Sequence, residues 1–195
     1  GKNVKKKIHT KKRDFKINGD NIKLNGVNEN EIQIIDFLGS LPYTDRIYEI
    51  GSKPTEDIEN ALQVYRNALE LDPNNAKIHC NLGFLYWGKG DIDEALKEYQ
   101  LAIDYDPNYD IAYNNMGVIY LDDLGRVRQA IDLFTKSVEC NPNYALAHFN
   151  LARSIAITGD KIEAAKLYQI AQDINKITNE IDPQDILDKI NDLFS

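Results

Sequence analysis

The sequence predicts an all-α fold of stacked helix pairs, and three observations lead to that prediction. Three consecutive segments of the 195-residue chain align with one another almost without gaps. Within each segment the apolar residues recur at i, i+3, i+4 and i+7, the spacing of one helical face. A turn interrupts each segment near its middle, and proline follows the second half of the first two. This periodicity is typical of repeat arrays in which each unit packs only against its neighbours.

The repeat units define the predicted organisation of the chain. The first unit has 34 residues and the second has 35, with the extra residue falling within 122–124, just before Gly125. Upstream, residues 51–75 match the second half of a unit well, whereas residues 42–50 match the first half poorly. The predicted organisation is a basic, mostly disordered tail over 1–30, an N-terminal cap with a degenerate first repeat over 31–75, repeats over 76–109, 110–144 and 145–178, and a C-terminal capping helix over 179–195.

Each unit is predicted to consist of two antiparallel helices. Small residues at fixed places let the two helix axes approach, and large aromatic residues fill the gap to the neighbouring unit. Asp91 offers a carboxylate near the start of a second helix, where it can act as a cap. The first-helix stripes are His79, Leu82, Gly83, Tyr86, then Tyr113, Met116, Gly117, Tyr120, then His148, Leu151, Ala152, Ile155, and the second-helix stripes are Ala95, Tyr99, Ala102, then Ala130, Phe134, Ser137, then Ala164, Tyr168, Ala171.

These residues resemble the tetratricopeptide repeat family over about 42–178. The resemblance implies a right-handed superhelical solenoid of antiparallel helix pairs. Lys176 departs from the pattern, because the other units have proline there. After the last unit, a final amphipathic helix is expected to cap the array with Ile186, Leu187, Ile190 and Leu193 on one side. A short helix over 31–38 is expected to cover the other end.

Charge separates the tail from the repeat body. The net charge of the chain is -8, but residues 1–24 contain nine basic and two acidic residues, which leaves 25–195 with 14 basic and 29 acidic residues. A solvated arm is the first interpretation of the tail, and contact with nucleic acid or an anionic membrane through the tail alone is the alternative. Its KKKIHTKKR run also matches a nuclear-localisation signal. No apolar run reaches the length of a membrane span, and two cysteines are too few for a disulfide framework. Both features favour a cytoplasmic protein, with a nuclear one as the alternative.

The sequence also predicts a peptide-binding groove. The second, sixth, ninth and thirteenth positions of each unit point about 180° away from the packing stripe of the first helix. The sixth position is Asn81, Asn115 and Asn150 in the three units, and a carboxamide can both donate to and accept from a peptide backbone. This is similar to the asparagine ladder of protein O-linked N-acetylglucosamine transferase. A general abundance of Asn in this chain is the alternative explanation. The predicted groove residues are Lys77, Asn81, Phe84, Trp87, Ile111, Asn115, Val118, Leu121, Leu146, Phe149, Asn150 and Arg153.

One subtype of groove is disfavoured. Family members that hold the C-terminal Glu-Glu-Val-Asp of large chaperones use a clamp of Lys, Arg and Asn along successive first helices. Ile50, Ile111 and Asn115 stand where Asn, Lys and Arg of that clamp are expected. Lys77 and Arg153 remain available for an acidic group on a ligand. The sequence therefore argues against a cochaperone.

Candidates for chemistry are few. His79 and His148 are expected to pack between helices, without carboxylates or thiols at metal-ligand spacing. Cys140 is expected in the core, because its equivalents are Leu71, Tyr105 and Ile174. Asp122 and Asp123 are expected in a solvated loop. The sequence thus predicts no enzyme, no metal and no cofactor. It predicts a non-catalytic scaffold or adaptor that binds a protein or peptide partner, or alternatively the recognition module of a larger enzyme such as a glycosyltransferase.

Overall fold

A computed structural model describes residues 15–17, 20–22 and 55–195, with side chains from Ile58 onward. The first two pieces are short strands, β1 (Phe15–Ile17) and β2 (Asp20–Ile22), which pair antiparallel with Phe15 opposite Ile22. They fall within the segment that the sequence predicts to be mostly disordered. The helix predicted over 31–38 and the first helix of the degenerate repeat lie outside the described residues.

Residues 55–195 form eight α-helices and one π-helical turn. Helix α1 is the second helix of the leading unit. The next three units are the pairs α2/α3, α4/α5 and α6/α7, and α8 follows as a cap. The bounds are α1 Thr55–Leu71, α2 Ala76–Lys89, α3 Ile92–Tyr105, α4 Asp110–Val118, the π turn Ile119–Asp123, α5 Val127–Cys140, α6 Ala145–Thr158, α7 Lys161–Thr178 and α8 Pro183–Asp192. Across the described residues, none of the helices combines the length and apolar character needed to cross a membrane.

Small and large residues pair within each unit as the sequence predicts. Tyr99 and Phe134 are fully buried, and Tyr168 is nearly so. A Cβ atom added at Gly83 would lie 2.8 Å from the Tyr99 ring, and one at Gly117 would lie 2.7 Å from the Phe134 ring. Both distances are shorter than carbon atoms can approach, so glycine is required for these helices to pack at this separation.

A recurring hydrogen bond joins each unit to the one before it. The fourth residue of the first helix reaches the carbonyl oxygen of the proline that follows the preceding second helix. Because a carbonyl oxygen only accepts, the side chain donates in every case. The contacts are His79 Nε2 to Pro73 O at 3.0 Å, Tyr113 Oη to Pro107 O at 3.2 Å and His148 Nε2 to Pro142 O at 3.0 Å. Both histidines therefore serve packing between units.

The ends of the second helices are less buried than the sequence predicts. Leu71 is 66% exposed and Tyr105 is 44% exposed, while Cys140 is only partly buried. The expectation that Cys140 lies in the core is therefore wrong, and its equivalents Leu71 and Tyr105 are exposed as well. Each lies at the last residue of its helix, where no following turn covers it. The Tyr105 ring instead stacks on His79, with centroids 5.2 Å apart.

The capping helix begins after a turn organised by a buried asparagine. Asn175 Oδ1 accepts from the backbone N–H of Glu180 at 2.8 Å and of Ile181 at 2.9 Å, and its Nδ2 donates to Ile181 O at 2.7 Å. Helix α8 then buries Ile186 completely. Leu187, expected on the same side, is exposed, because one residue rotates a side chain by about 100° around a helix.

Candidate functional site

The first helices of the three units lie side by side, and we call their outer side the first-helix surface. The structure buries most of the residues predicted to line it. Lys77 and Ile111 are exposed, and Asn81, Trp87 and Arg153 are partly exposed. The remaining predicted residues are buried: Phe84, Asn115, Val118, Leu121, Leu146, Phe149 and Asn150.

The expectation that all three asparagines face solvent is wrong. Asn115 and Asn150 are each 3% exposed, whereas Asn81 is partly exposed and donates to Tyr65 Oη at 3.3 Å. Asn115 Nδ2 instead points to Cys80 Sγ of the preceding unit, 3.8 Å away. The helical wheel treats a helix as isolated, but here the neighbouring first helix covers the sixth position.

A line of polar contacts crosses the first helices, and we call it the polar chain. Asn114 lies between Asn115 and Asn150 in this line of contacts. Its Nδ2 is 3.4 Å from Asn115 Oδ1, and its Oδ1 accepts from Asn150 Nδ2 at 3.0 Å. The chain continues as Asn150 Oδ1 accepts from Arg153 Nη1 at 3.2 Å. Buried carboxamides are costly unless they are hydrogen-bonded, so these contacts hold successive first helices in one register.

The extra residue of the second unit is absorbed in the π-helical turn. Leu124 N donates to Ile119 O at 3.1 Å, an i to i+5 bond. Asp122 and Asp123 are exposed to solvent as expected, but they belong to an ordered helical turn rather than to a loop. Asp123 Oδ2 accepts from Trp87 Nε1 at 2.9 Å. The 35-residue length was the sequence signal for this turn, because inserted residues in helices often form π turns at functional sites.

Arg153 is the best-positioned donor on the first-helix surface. Its Nη2 donates to Asp122 Oδ1 at 2.8 Å, and its Nη1 approaches Asp122 Oδ2 at 3.4 Å and Asn150 Oδ1 at 3.2 Å. A guanidinium has five N–H groups, of which Nε–H and one on Nη2 point in the same direction. Among residues 58–195, no acceptor forms a hydrogen bond with this pair of N–H groups, and the Arg153 side chain is 29% exposed. The arrangement presents a fork of two donors that suits one oxygen acceptor or a pair of them.

The two cysteines do not supply an activated nucleophile. Cys80 is buried beside Asn115. Burial also raises the pKa of the Cys140 thiol, and nearby carboxylates raise it further, so the thiol stays protonated near neutral pH. Among the described residues no cluster of three or more His, Cys, Asp or Glu side chains has the arrangement of a metal site.

Family models cover most of the repeat body. A model described as TPR repeat matches residues 55–90 and 88–123. Two models described as tetratricopeptide repeat match residues 111–144 and 133–166. Together they span more than half of the chain. The chain belongs to the tetratricopeptide repeat family.

Solved structures of other tetratricopeptide repeat proteins share the fold. The first TPR of Spaghetti (RPAP3), bound to the HSP90 peptide SRMEEVD, is 20% identical with a TM-score of 0.54, covering 60% of this chain and 89% of that one. The TPR2B domain of yeast Sti1, in complex with pHsp70, is 21% identical with a TM-score of 0.56, covering 60% and 94%. MamA is 18% identical with a TM-score of 0.56, covering 77% and 88%. A sequence comparison with curated proteins finds no match.

Proposed function

We propose that this chain is a non-catalytic interaction module that holds an extended segment of a partner protein along the first-helix surface. The observation that carries the proposal is the open donor fork of Arg153, held in place by Asp122 and Asn150. Ile111, which is exposed on the neighbouring first helix, adds an apolar contact. Peptides named with two of the fold neighbours support a peptide as the class of partner. A free-standing adaptor and a recognition module of a larger enzyme would use this surface in the same way.

The charges around Arg153 favour a main-chain carbonyl oxygen as its acceptor. Asp122 lies 2.8 Å from the guanidinium and offsets its charge. A carboxylate ligand would meet this negative charge, whereas a neutral carbonyl oxygen would not. The buried asparagines then act by positioning Arg153, and the other buried groove residues support the surface from below.

The donor fork can be tested with selected peptides. Random linear peptides displayed on phage would be selected on the immobilised chain, resynthesised with a fluorophore and titrated by anisotropy. Arg153→Lys keeps the charge but loses the fork, so we expect affinity to fall about tenfold. Arg128→Lys, an equally conservative change at an exposed site on α5, should leave affinity unchanged. Circular dichroism would verify that both variants are folded.

Two results would refute the proposal: no peptide enriched above background, or equal affinity for the two variants. The peptide SRMEEVD provides a separate probe, because the chain lacks the basic residues expected at Ile111 and Asn115 for a carboxylate clamp. We expect it to show no saturable binding below about 1 mM.

A further inference from the structure

An exposed isoleucine lies beside the donor fork of Arg153. Ile157 follows Arg153 by four residues on α6, so the two side chains share one side of the helix. Residues with this spacing have Cβ atoms about 5–6 Å apart. Ile157 is 61% exposed, and the contacts that carry the proposed function do not involve it. The first-helix surface thus places an apolar side chain next to its best-positioned polar donor.

The equivalent position differs in each of the three units. It is Gly88 in the first unit, Asp122 in the second and Ile157 in the third. Glycine offers no side chain there, and Asp122 holds Arg153 through its carboxylate. Single exposed apolar residues are common on protein surfaces, so exposure alone is no sign of a binding site. The argument depends instead on the position of Ile157 beside a donor that is held in place.

Both groups are ordered before a ligand arrives. Asp122 Oδ1 accepts from Arg153 Nη2 at 2.8 Å, and Asn150 Oδ1 accepts from Arg153 Nη1 at 3.2 Å. A bound carbonyl oxygen must therefore lie at one place relative to Ile157. Isoleucine in a helix has one strongly preferred χ1 rotamer, so contact with a ligand costs it little conformational entropy. Such preorganisation lowers the cost of binding.

The separation of the two groups translates into a spacing along a bound segment. An extended chain advances about 7–10 Å over two or three residues. The ligand side chain that meets Ile157 therefore belongs to a residue about two or three positions from the carbonyl that Arg153 binds. We call this residue of the ligand the apolar position. An apolar side chain gains a hydrophobic contact there, whereas a charged one loses water against Ile157 without an ionic partner.

We propose that Ile157 determines the sequence specificity of the first-helix surface by selecting segments with an aliphatic or aromatic residue at the apolar position. This inference rests on the proposed function and narrows its class of partner. Every residue of a peptide has a main-chain carbonyl, so the fork of Arg153 alone cannot distinguish one sequence from another. Ile157 supplies that discrimination through the neighbouring side chain.

Parallel phage selections test the assignment of Ile157. The random peptides would be selected on the wild type, on Ile157→Ala and on Ile177→Ala, and the enriched pools sequenced. Ile177 is the matched control, because it is 88% exposed and lies on α7, away from the first-helix surface. Alanine favours helix, so both variants should keep the fold. We expect an apolar residue at one common position in the wild-type and Ile177→Ala pools, and no such preference in the Ile157→Ala pool.

A double-mutant cycle measures the contact itself. One peptide from the wild-type pool and its alanine variant at the apolar position would be titrated by anisotropy. We expect the alanine variant to bind the wild type about fivefold more weakly and Ile157→Ala less than about twofold more weakly. Arg153→Lys should weaken both peptides by a similar factor and so keep the preference.

Replacing single amides of the peptide by esters tests the spacing. Each ester weakens one carbonyl as an acceptor. The ester whose penalty shrinks most in Arg153→Lys marks the carbonyl bound by Arg153. We expect it to lie about two or three residues from the apolar position. A spacing of six residues or more would contradict contact with two groups one helical turn apart.

Failure of this inference can be distinguished from failure of the proposed function. An Ile157→Ala pool with the same apolar preference as the wild type, or a wild-type pool without any, would overturn the role of Ile157 and leave peptide binding in place. Equal penalties in the two arms of the cycle would do the same. If no peptide is enriched on any of the three chains, the proposed function is refuted, and this inference with it.

Discussion

The second and third units have the same plan but close their first helices in different ways. In the third unit, α6 ends at Gly159, which has a φ of 95°. In the second unit, α4 passes into the π turn before Gly125, which has a φ of 64°. The added residue is thus accommodated in helical hydrogen bonding, and the turn brings Asp122 to Arg153 and Asp123 to Trp87. An insertion of one residue therefore adds contacts to both neighbouring units rather than a loose loop.

The two units also fill the same core space with different pairs of residues. The second unit packs Gly117 against Phe134, and the third has Ala152 and Tyr168 at the equivalent places. Gly117 lets the two helices of the second unit approach closely, whereas the third unit buries the phenol group of Tyr168. The two cores should consequently respond differently to alkali and to added methyl groups.

Alkaline pH should produce the largest difference in stability between the two cores. Burial raises the pKa of Tyr168 to about 12, above its ordinary value of about 10. The unfolded chain loses this proton first, so the contribution to stability is complete below about pH 10 and is lost as the pH rises towards about 12. Tyr168→Phe gives the third unit the phenylalanine that the second unit has at this place. We expect the variant to avoid up to about 2 kcal/mol of this loss in the free energy of unfolding. Urea unfolding of both proteins at several pH values measures the difference, and parallel pH profiles would contradict it.

Adding a methyl group at Gly117 should have the next largest effect. The new Cβ of Gly117→Ala would lie 2.7 Å from the Phe134 ring, which is buried and cannot move aside. The overpacking outweighs the gain in helix propensity, so we expect a net loss of about 1–2 kcal/mol in the free energy of unfolding. Urea unfolding would show it as a lower midpoint with an unchanged slope. A Gly117→Ala protein at least as stable as the wild type would contradict this expectation.

Replacing the turn glycines by asparagine should have the smallest effect, and an unequal one. Asn179 already adopts a φ of 52° in this chain, near the 64° of Gly125. We therefore expect Gly125→Asn to cost less than about 0.5 kcal/mol and Gly159→Asn, at 95°, to cost about 1 kcal/mol. Neither position has an atom within 4 Å of an added Cβ, so packing does not confuse the comparison. Equal shifts in melting temperature for the two variants would show that the turns do not differ in this way.

The sequence was sufficient for the repeat plan and for much of the core. Tyr99, Phe134 and Tyr168 are buried as their spacing predicts, and Gly83 and Gly117 allow the close approach inferred from their size. These predictions succeed because they depend on contacts within one helix pair. Cys140 was predicted in the core and is only partly buried, because it ends its helix. Leu187 was predicted on the packing side and is exposed, because it is rotated away from that side.

The candidate site was less predictable, because its residues are defined by contacts between units. Asn115 and Asn150 are on the side of the helix that the periodicity predicts, yet the adjoining first helices bury them. The open fork of Arg153 depends on Asp122 of the preceding unit, which the π turn moves into reach. No periodicity within one unit contains that information.

The sequence by itself determined that this chain is an array of helix pairs, because the period, the small and large residues and the prolines all act over short distances. Only the tertiary structure decided which outward positions stay open, since exposure at the sixth position depends on the next helix in the stack. It also decided that Asp122 and Asp123 hold Arg153 and Trp87, because a π turn changes the direction of side chains in a way that residue spacing does not record.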